Sequence, residues 1–277
     1  MNSNKRMPTS ILGVIPARMA SSRFPGKPIK LIDGEPMIWH VWQRSLLSKV
    51  LDQVVVATCD REIKEAAEAF GAQVVMTSSK HTRSNDRVAE VAEKIPCDIV
   101  LNIQGDEPLV NPQLINDVVN EFEKNNDIQC VNPVSEIKTD EELNSPHTVK
   151  VVSNLNGRVL YFSRYPIPSA LISKRKYPVY RQVPILGFRR DFCIKLSRLP
   201  EGPLELQESI DLLRAVEHDM PLHTLITEFQ TIGVDTPADL KNVEKALDSD
   251  RVYKEYALNG SKHTKGKRIQ ESGHDKG

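Results

Sequence analysis

Short, almost wholly apolar runs recur along the first hundred or so residues, and each is followed by a stretch whose apolar positions fall three and four apart. ILGVIPA (11–17), QVVVAT (53–58), QVVMT (73–77) and DIVLNIQ (98–104) read as strands. Between them, MIWHVWQRSLL (37–47), REIKEAAEAF (61–70) and RVAEVAEKI (87–95) read as amphipathic helices. Strands with no polar face need cover on both sides. The alternation therefore predicts an α/β fold with a doubly wound, mostly parallel, Rossmann-like sheet. In such a sheet, ligands sit beyond the carboxyl ends of the strands.

The pattern then loosens. QLINDVVNEFEKN (113–125) is helical and starts at Pro112. From about residue 130 to 193 the runs are shorter and more polar (VKVVSN, VLYFSR, VPILGF) and are joined through Pro166, Pro168 and Pro178. This predicts a smaller antiparallel insert subdomain packed on the parallel sheet. Helical periodicity returns in LELQESIDLLRAVEHD (204–219), followed by the strand-like LHTLITEF (222–229) and a helix start at Thr236, Pro237 and Asp239. One domain over 11–258 is expected, with a polar N-terminal extension (1–10) and a disordered tail (259–277) poor in hydrophobic residues.

Composition narrows the ligand. The 277 residues carry 37 Lys and Arg against 37 Asp and Glu. No overall field for nucleic acid exists, and any anion site must be built locally. Cys59, Cys97, Cys130 and Cys193 lie far apart without a C-x-x-C pair, which speaks against a disulfide framework or zinc and for a reducing cytoplasm. No run approaches the ~20 apolar residues of a membrane span, so a soluble protein is expected.

Three segments could carry chemistry. In GVIPARMASSRFPGKPI (13–29) a strand runs straight into a loop with Arg18, Arg23 and Lys27, freed by Gly26 and bracketed by Pro25 and Pro28. Such a loop either surrounds phosphate oxygens or is simply solvated, and it is neither a P-loop nor a G-x-G-x-x-G turn. DIVLNIQGDEP (98–108) ends a strand on Asp106 and Glu107, either as an acidic turn or as the carboxylate end of a Mg²⁺ site that also uses phosphate oxygens. GVDTP (233–237) is sufficient as a plain helix start. A role for Asp235 depends on whether it faces Asp106.

IPARMASSRFPGKP, NIQGDEP, HTVKVV, LYFSR and GVDTP, in this order and at these separations, resemble the 3-deoxy-manno-octulosonate (Kdo) cytidylyltransferases over roughly residues 11–247. The resemblance implies a nucleotidyltransferase fold, a homodimer, and transfer of CMP from CTP to the anomeric hydroxyl of a keto-sugar acid with release of pyrophosphate. It places Arg18 and Lys27 on the CTP phosphates, Gln104 between nucleotide and sugar, and Mg²⁺ on Asp106 and Asp235. Lys27, Arg18, Asp106 and Asp235 are then the catalytic set. Charge builds on phosphate oxygens during the transfer, so positioning and cations should do most of the catalysis and no histidine base is required.

The chain departs from the family pattern in two places. The nucleotide loop, close to SGTDR in the family, is RSNDR (83–87) here. Asp86 and Arg87 match, and Ser84-Asn85 replaces Gly-Thr. In the acceptor region Gln182, Pro184 and Leu186 stand where the family has His, Gly and Tyr, and Asp211 and Leu212 replace Glu and Gln. Ser84, Asp86 and Arg87 are expected on CTP, and Gln182, Leu186, Asp211 and Leu212 around the acceptor. Arg164 either reaches the acceptor carboxylate or forms an ion pair within the insert. Lost polar partners predict an altered acid: a modified octulosonate, another 3-deoxy-keto-sugar acid, or a phosphonate. A sugar-1-phosphate nucleotidyltransferase ranks lower because the G-x-G entry is missing. His40 is expected to be a packed helix residue, and His147, His218 and His223 surface residues.

Overall fold

The computed structural model describes residues 9–20, 24–172 and 176–257. The chain runs β1 (Ile11–Pro16), β2 (Leu31–Ile32), β3 (Glu35–Pro36), α1 (Met37–Leu46), β4 (Gln53–Thr58), α2 (Arg61–Ala69), β5 (Gln73–Met76), α3 (Ser84–Lys94), β6 (Ile99–Ile103) and α4 (Pro112–Lys124). It continues through β7 (Cys130–Glu136), α5 (Asp140–Asn144), β8 (Lys150–Ser153), β9 (Val159–Ser163), β10 (Tyr180–Gln182), β11 (Ile185–Arg189) and α6 (Arg190–Ser197). Last come α7 (Pro203–Glu208), α8 (Leu213–Glu217), β12 (His223–Ile226) and α9 (Pro237–Leu247). The expected tail, 259–277, and residues 1–8 lie outside the described residues.

Ten strands form one sheet in the order β5-β4-β1-β6-β11-β7-β10-β8-β9, with β12 paired to β7. β5, β4, β1 and β6 are parallel, as their unbroken apolar runs require. Ile11 and Ile15 of β1 pack with α1, α2 and α4, whereas Leu12 and Val14 pack with α3 and α6, so both faces are covered. The α/β, doubly wound class is the observed one.

The expected insert is placed differently from its sequence reading. β11 pairs antiparallel to β6 and to β7, and β10, β8 and β9 follow antiparallel. These strands extend the central sheet sideways and do not cover one of its faces. β11 is buried on both sides, which a hairpin lying on a sheet would not be.

Two local features escaped the periodicity. β2 and β3 are too short to show a period, although the Asp33-Gly34 turn between them, with both φ positive, was a readable signal. The helical stretch from 204 is broken at Ser209, which is left-handed at φ 53°. Glu217 of α8 accepts from Leu204 N and Glu205 N, capping α7 from its neighbour. That break faces Ser209 and Asp211 toward the strand ends.

Candidate active site

Three charged side chains far apart in sequence meet where β1 and β6 end. A β-carbon on Gly105 would come within 2.7 Å of Pro16 O, so only glycine lets the turn after β6 close on β1. Asp106 then enters the crevice, and its carbonyl accepts from Val234 N at 2.9 Å. That backbone bond lays Asp235 beside Asp106. From the other side, the loop after β1 turns through Gly26 (φ 70°) into a 3₁₀ turn that begins at Lys27. Lys27 Nζ donates to Asp106 Oδ2 at 2.7 Å and to Asp235 Oδ1 at 3.2 Å. Burial alone would lower the Lys27 pKa, but the two carboxylates outweigh it and raise it above its ordinary value. Thr236 and Asp239 form a capping box on α9, so GVDTP both starts a helix and delivers a carboxylate.

Beside this junction lies a cleft of about 360 Å³, lined by Arg18, Lys27, Ser84, Arg87, Gln104 and Asp211 among others. Arg18 is exposed and donates to Thr82 O at 3.2 Å. Arg87 is buried and donates to Thr77 Oγ1. His81, Thr82 and Arg83 also line the cleft. Sequence reasoning passed over His81 and Thr82, although they directly precede the nucleotide loop, and gave no role to Arg83, the loop's first residue. Glu90 holds His81 at 2.6 Å. Its burial favours the neutral acid, but Lys94, the Ser78 N–H and His81 bring its pKa down to about 2.

A second cleft, of about 530 Å³, shares Gln104, Asp106 and Asp235 with the first. Gln182, Pro184, Thr148 and the exposed His147 line it. Its arginine is Arg181, ion-paired to Glu142 at 2.9 Å, a residue sequence reasoning missed even though it stands next to Gln182. Glu107 also borders this cleft, is buried at 6% exposure, and leaves Oε2 without a partner.

Burial, with Asp106 beside it, pushes the Glu107 carboxyl up to about 8. The folded chain therefore keeps a proton that the unfolded chain releases near pH ~4.5, and stability falls as pH rises from there toward about 8. In chelator, Glu107→Gln is expected to flatten the fall in melting temperature between about pH 5 and about pH 8. Equal slopes for the two proteins would refute this assignment.

Several expected site residues stand elsewhere. The Arg164 guanidinium reaches neither cleft, because it donates to Glu208 O, Pro146 O and Ser209 O at 2.6–3.1 Å and so ties backbone segments together. Leu186 and Leu212 are 3% and 0% exposed in the apolar core and line neither cleft. Asp211 lines the first cleft and not the second. Asp86 accepts from Arg214 at 3.0 Å and faces neither cleft. Arg23 lies outside the described residues. His40 is a packed residue: burial lowers its pKa to about 4, and its ring nitrogens meet Tyr256 Oη and Ile32 O.

A cationic loop and two carboxylates, one after β6 and one just ahead of α9, beside twin clefts on a doubly wound sheet are what a nucleotidyltransferase requires. A cytidylyltransferase family profile matches residues 12–222. The 3-deoxy-manno-octulosonate cytidylyltransferase of Geobacter metallireducens is 40% identical over 248 residues, covering 86% of this chain and 97% of the relative. That of Solibacter usitatus is 41% identical over 239 residues, covering 86% and 95%. A solved CMP:2-keto-3-deoxy-manno-octonic acid synthetase complexed with CTP superposes with a TM-score of 0.82 at 37% identity, covering 87% of this chain and 99% of that one. The chain belongs to the 3-deoxy-manno-octulosonate cytidylyltransferase family.

Proposed function

We propose that this enzyme transfers CMP from CTP to the hydroxyl of a 3-deoxy-keto-sugar acid of the octulosonate type, releases pyrophosphate, depends on Mg²⁺, and works as a cytoplasmic homodimer. The observation that carries the reading is the meeting of two clefts at Gln104, Asp106 and Asp235, with Lys27 bonded to both carboxylates. CTP fits the first cleft, where Arg18 and Lys27 face its phosphates. The acid fits the second, where Arg181 meets its carboxylate and Gln182 a hydroxyl. In the transfer the sugar hydroxyl oxygen bonds to the α-phosphorus as the α-phosphorus–oxygen bond to the β-phosphate breaks. The hydroxyl proton passes to solvent or the departing pyrophosphate, and the Lys27 ammonium counters the negative charge that builds on the phosphate oxygens.

The donor set supports Mg²⁺. Asp106 and Asp235 supply hard oxygens that here converge on the Lys27 ammonium, and a Mg²⁺ would share these carboxylates with it. Among the described residues no three His, Cys, Asp or Glu are grouped to hold a metal, so phosphate oxygens would complete the coordination. When bound, Mg²⁺ would neutralise phosphate charge. Tyr165, Leu171, Ile172 and Tyr177 are all exposed, which supports a dimer contact between β9 and β10. No helix among the described residues is long and apolar enough to cross a membrane, and the four cysteines are free.

The acceptor is where readings divide. With Leu186 and Leu212 in the core, the case for an altered acid rests on Gln182 and Pro184 alone. Pyrophosphate release with Mg²⁺ and CTP should therefore be measured against 3-deoxy-manno-octulosonate, modified octulosonates and phosphonates. Turnover of the octulosonate is expected, with Arg181→Met raising its KM by roughly 10-fold or more and leaving the KM for CTP unchanged. Turnover of a phosphonate alone would transfer the reading to that acid. Elution of the enzyme at 31.2 kDa, the mass of one chain, would remove the dimer.

A further inference from the structure

At the start of α3, five polar side chains form a line. Asp211 Oδ2 accepts from Asn85 Nδ2 at 2.7 Å, and Asn85 Oδ1 accepts from Asn102 Nδ2 at 2.7 Å. The same Asn102 nitrogen donates to Ser84 Oγ at 3.1 Å, and Gln104 Nε2 donates to that hydroxyl at 2.9 Å. Asn85 and Asp211 are two of the positions where this chain leaves the family pattern, 126 residues apart, and here they bond to each other.

The line has a direction. Burial raises the Asp211 pKa above its ordinary value; in its ionised form the carboxylate only accepts, and the observed Asn85 Nδ2–Asp211 Oδ2 bond then dictates which end of the Asn85 amide faces it. The Asn85 oxygen must then face Asn102, which turns the Asn102 nitrogen, and not its oxygen, toward Ser84. The cost of that arrangement is visible: Asn102 Oδ1 is buried with no partner. A hydroxyl has two lone pairs and one proton. Both lone pairs of Ser84 are occupied by amide nitrogens, which leaves only the proton to offer.

Ser84 lines the first cleft, as do Gln104 and Asp211. We infer that Asp211, acting through Asn85 and Asn102 and with Gln104 Nε2 on the second lone pair, sets Ser84 as a hydrogen-bond donor toward an oxygen or ring-nitrogen acceptor of the bound nucleotide. Asp211 is thus a positioning residue for nucleotide binding and not an acceptor-sugar ligand. The inference rests on the proposed reading that CTP occupies the first cleft.

The test is a double-mutant cycle on the calorimetric Kd for CTP, without acceptor, using wild type, Ser84→Ala, Asp211→Asn and the double variant. Ser84→Ala is expected to weaken binding roughly 5- to 10-fold, the worth of one hydrogen bond. Asp211→Asn should weaken it by a similar factor, because an amide no longer dictates the direction of the line. The double variant should be no weaker than Ser84→Ala alone, since the same donor has been removed twice. Factors that multiply, accompanied by a lowered melting temperature for Asp211→Asn, would overturn the inference and leave Asp211 purely structural. Should Asp211→Asn not fold, Asn85→Thr interrupts the line one residue later and takes its place in the cycle. CMP in place of CTP separates the sources of the acceptor atom: a loss with both ligands assigns it to the nucleoside or α-phosphate, a loss with CTP alone to the outer phosphates. Failure of the wild type to bind CTP at all would overturn the functional reading itself. Additivity in an enzyme that binds CTP overturns only this inference.

Discussion

Replacing Lys27 with methionine is expected to lower kcat/KM for cytidylyl transfer by roughly 10²- to 10³-fold while leaving the fold intact. The large kinetic effect follows from where the ammonium sits. It is 10% exposed and bonded to both Asp106 and Asp235, so in the proposed reading its charge acts with little screening on the reacting phosphate. The small structural effect follows from the partners. Asp106 and Asp235 are 36% and 41% exposed, and without Lys27 they remain hydrated. Because Lys27 is held above its ordinary pKa, its ion pairs are fully present at neutral pH and are lost only as pH rises through that raised value. A basic limb in the pH–rate profile near neutrality would therefore belong to another group. Kinetics and thermal melts of Lys27→Met decide the matter, and a loss below about 5-fold would remove Lys27 from the catalytic set.

Arg214→Leu is expected to act in the opposite way, destabilising the fold by about 3–5 kcal/mol. Arg214 grips Glu205 with two bonds, at 2.7 and 2.8 Å, and Asp86 with a third at 3.0 Å. Glu205 is fully buried, so losing its partner strands a carboxylate in the interior, with only Arg83 at 3.5 Å for compensation. The melting temperature should drop by roughly 10 °C for a chain of this size. Adding Glu205→Leu to Arg214→Leu should recover much of the loss, because an apolar pair does not need the missing charge. If the double variant melts as low as the single one, packing and not charge explains the effect. Asp86→Asn should likewise lower stability and spare the Kd for CTP, because Asp86 is committed to Arg214.

How much of this was legible beforehand depends on the distance over which each feature is decided. β1, β4 and β6 announce themselves through unbroken apolar runs, Asp106 through its place just past β6, and Lys27 through the basic loop after β1. Asp235 does so through a helix-start motif that the structure puts ahead of α9 and not, as the sequence suggested, at the end of a strand. Leu186 could not be oriented the same way: β11 is buried on both faces, so its residues carry no alternation that separates a cleft-facing side chain from a core one. Asp86 matched a motif, yet its partner lies 128 residues away. The stretch from 204 to 219 keeps helical spacing through the left-handed break at Ser209, and Glu217 from beyond the break folds back to cap the start of α7. Arg181 is one arginine among many until β10 pairs with β7 and β8 beside the shared carboxylates.

The bond from Val234 N to Asp106 O has a consequence for synthesis on the ribosome. The strands β5, β4, β1 and β6 are complete once residue 103 has emerged, and domains generally fold as units during translation. Asp235 is made more than a hundred residues later. A nascent chain can thus assemble its parallel core and part of its first cleft while it still lacks one of the two carboxylates, and it acquires a complete charge constellation only when most of residues 9–257 have been translated.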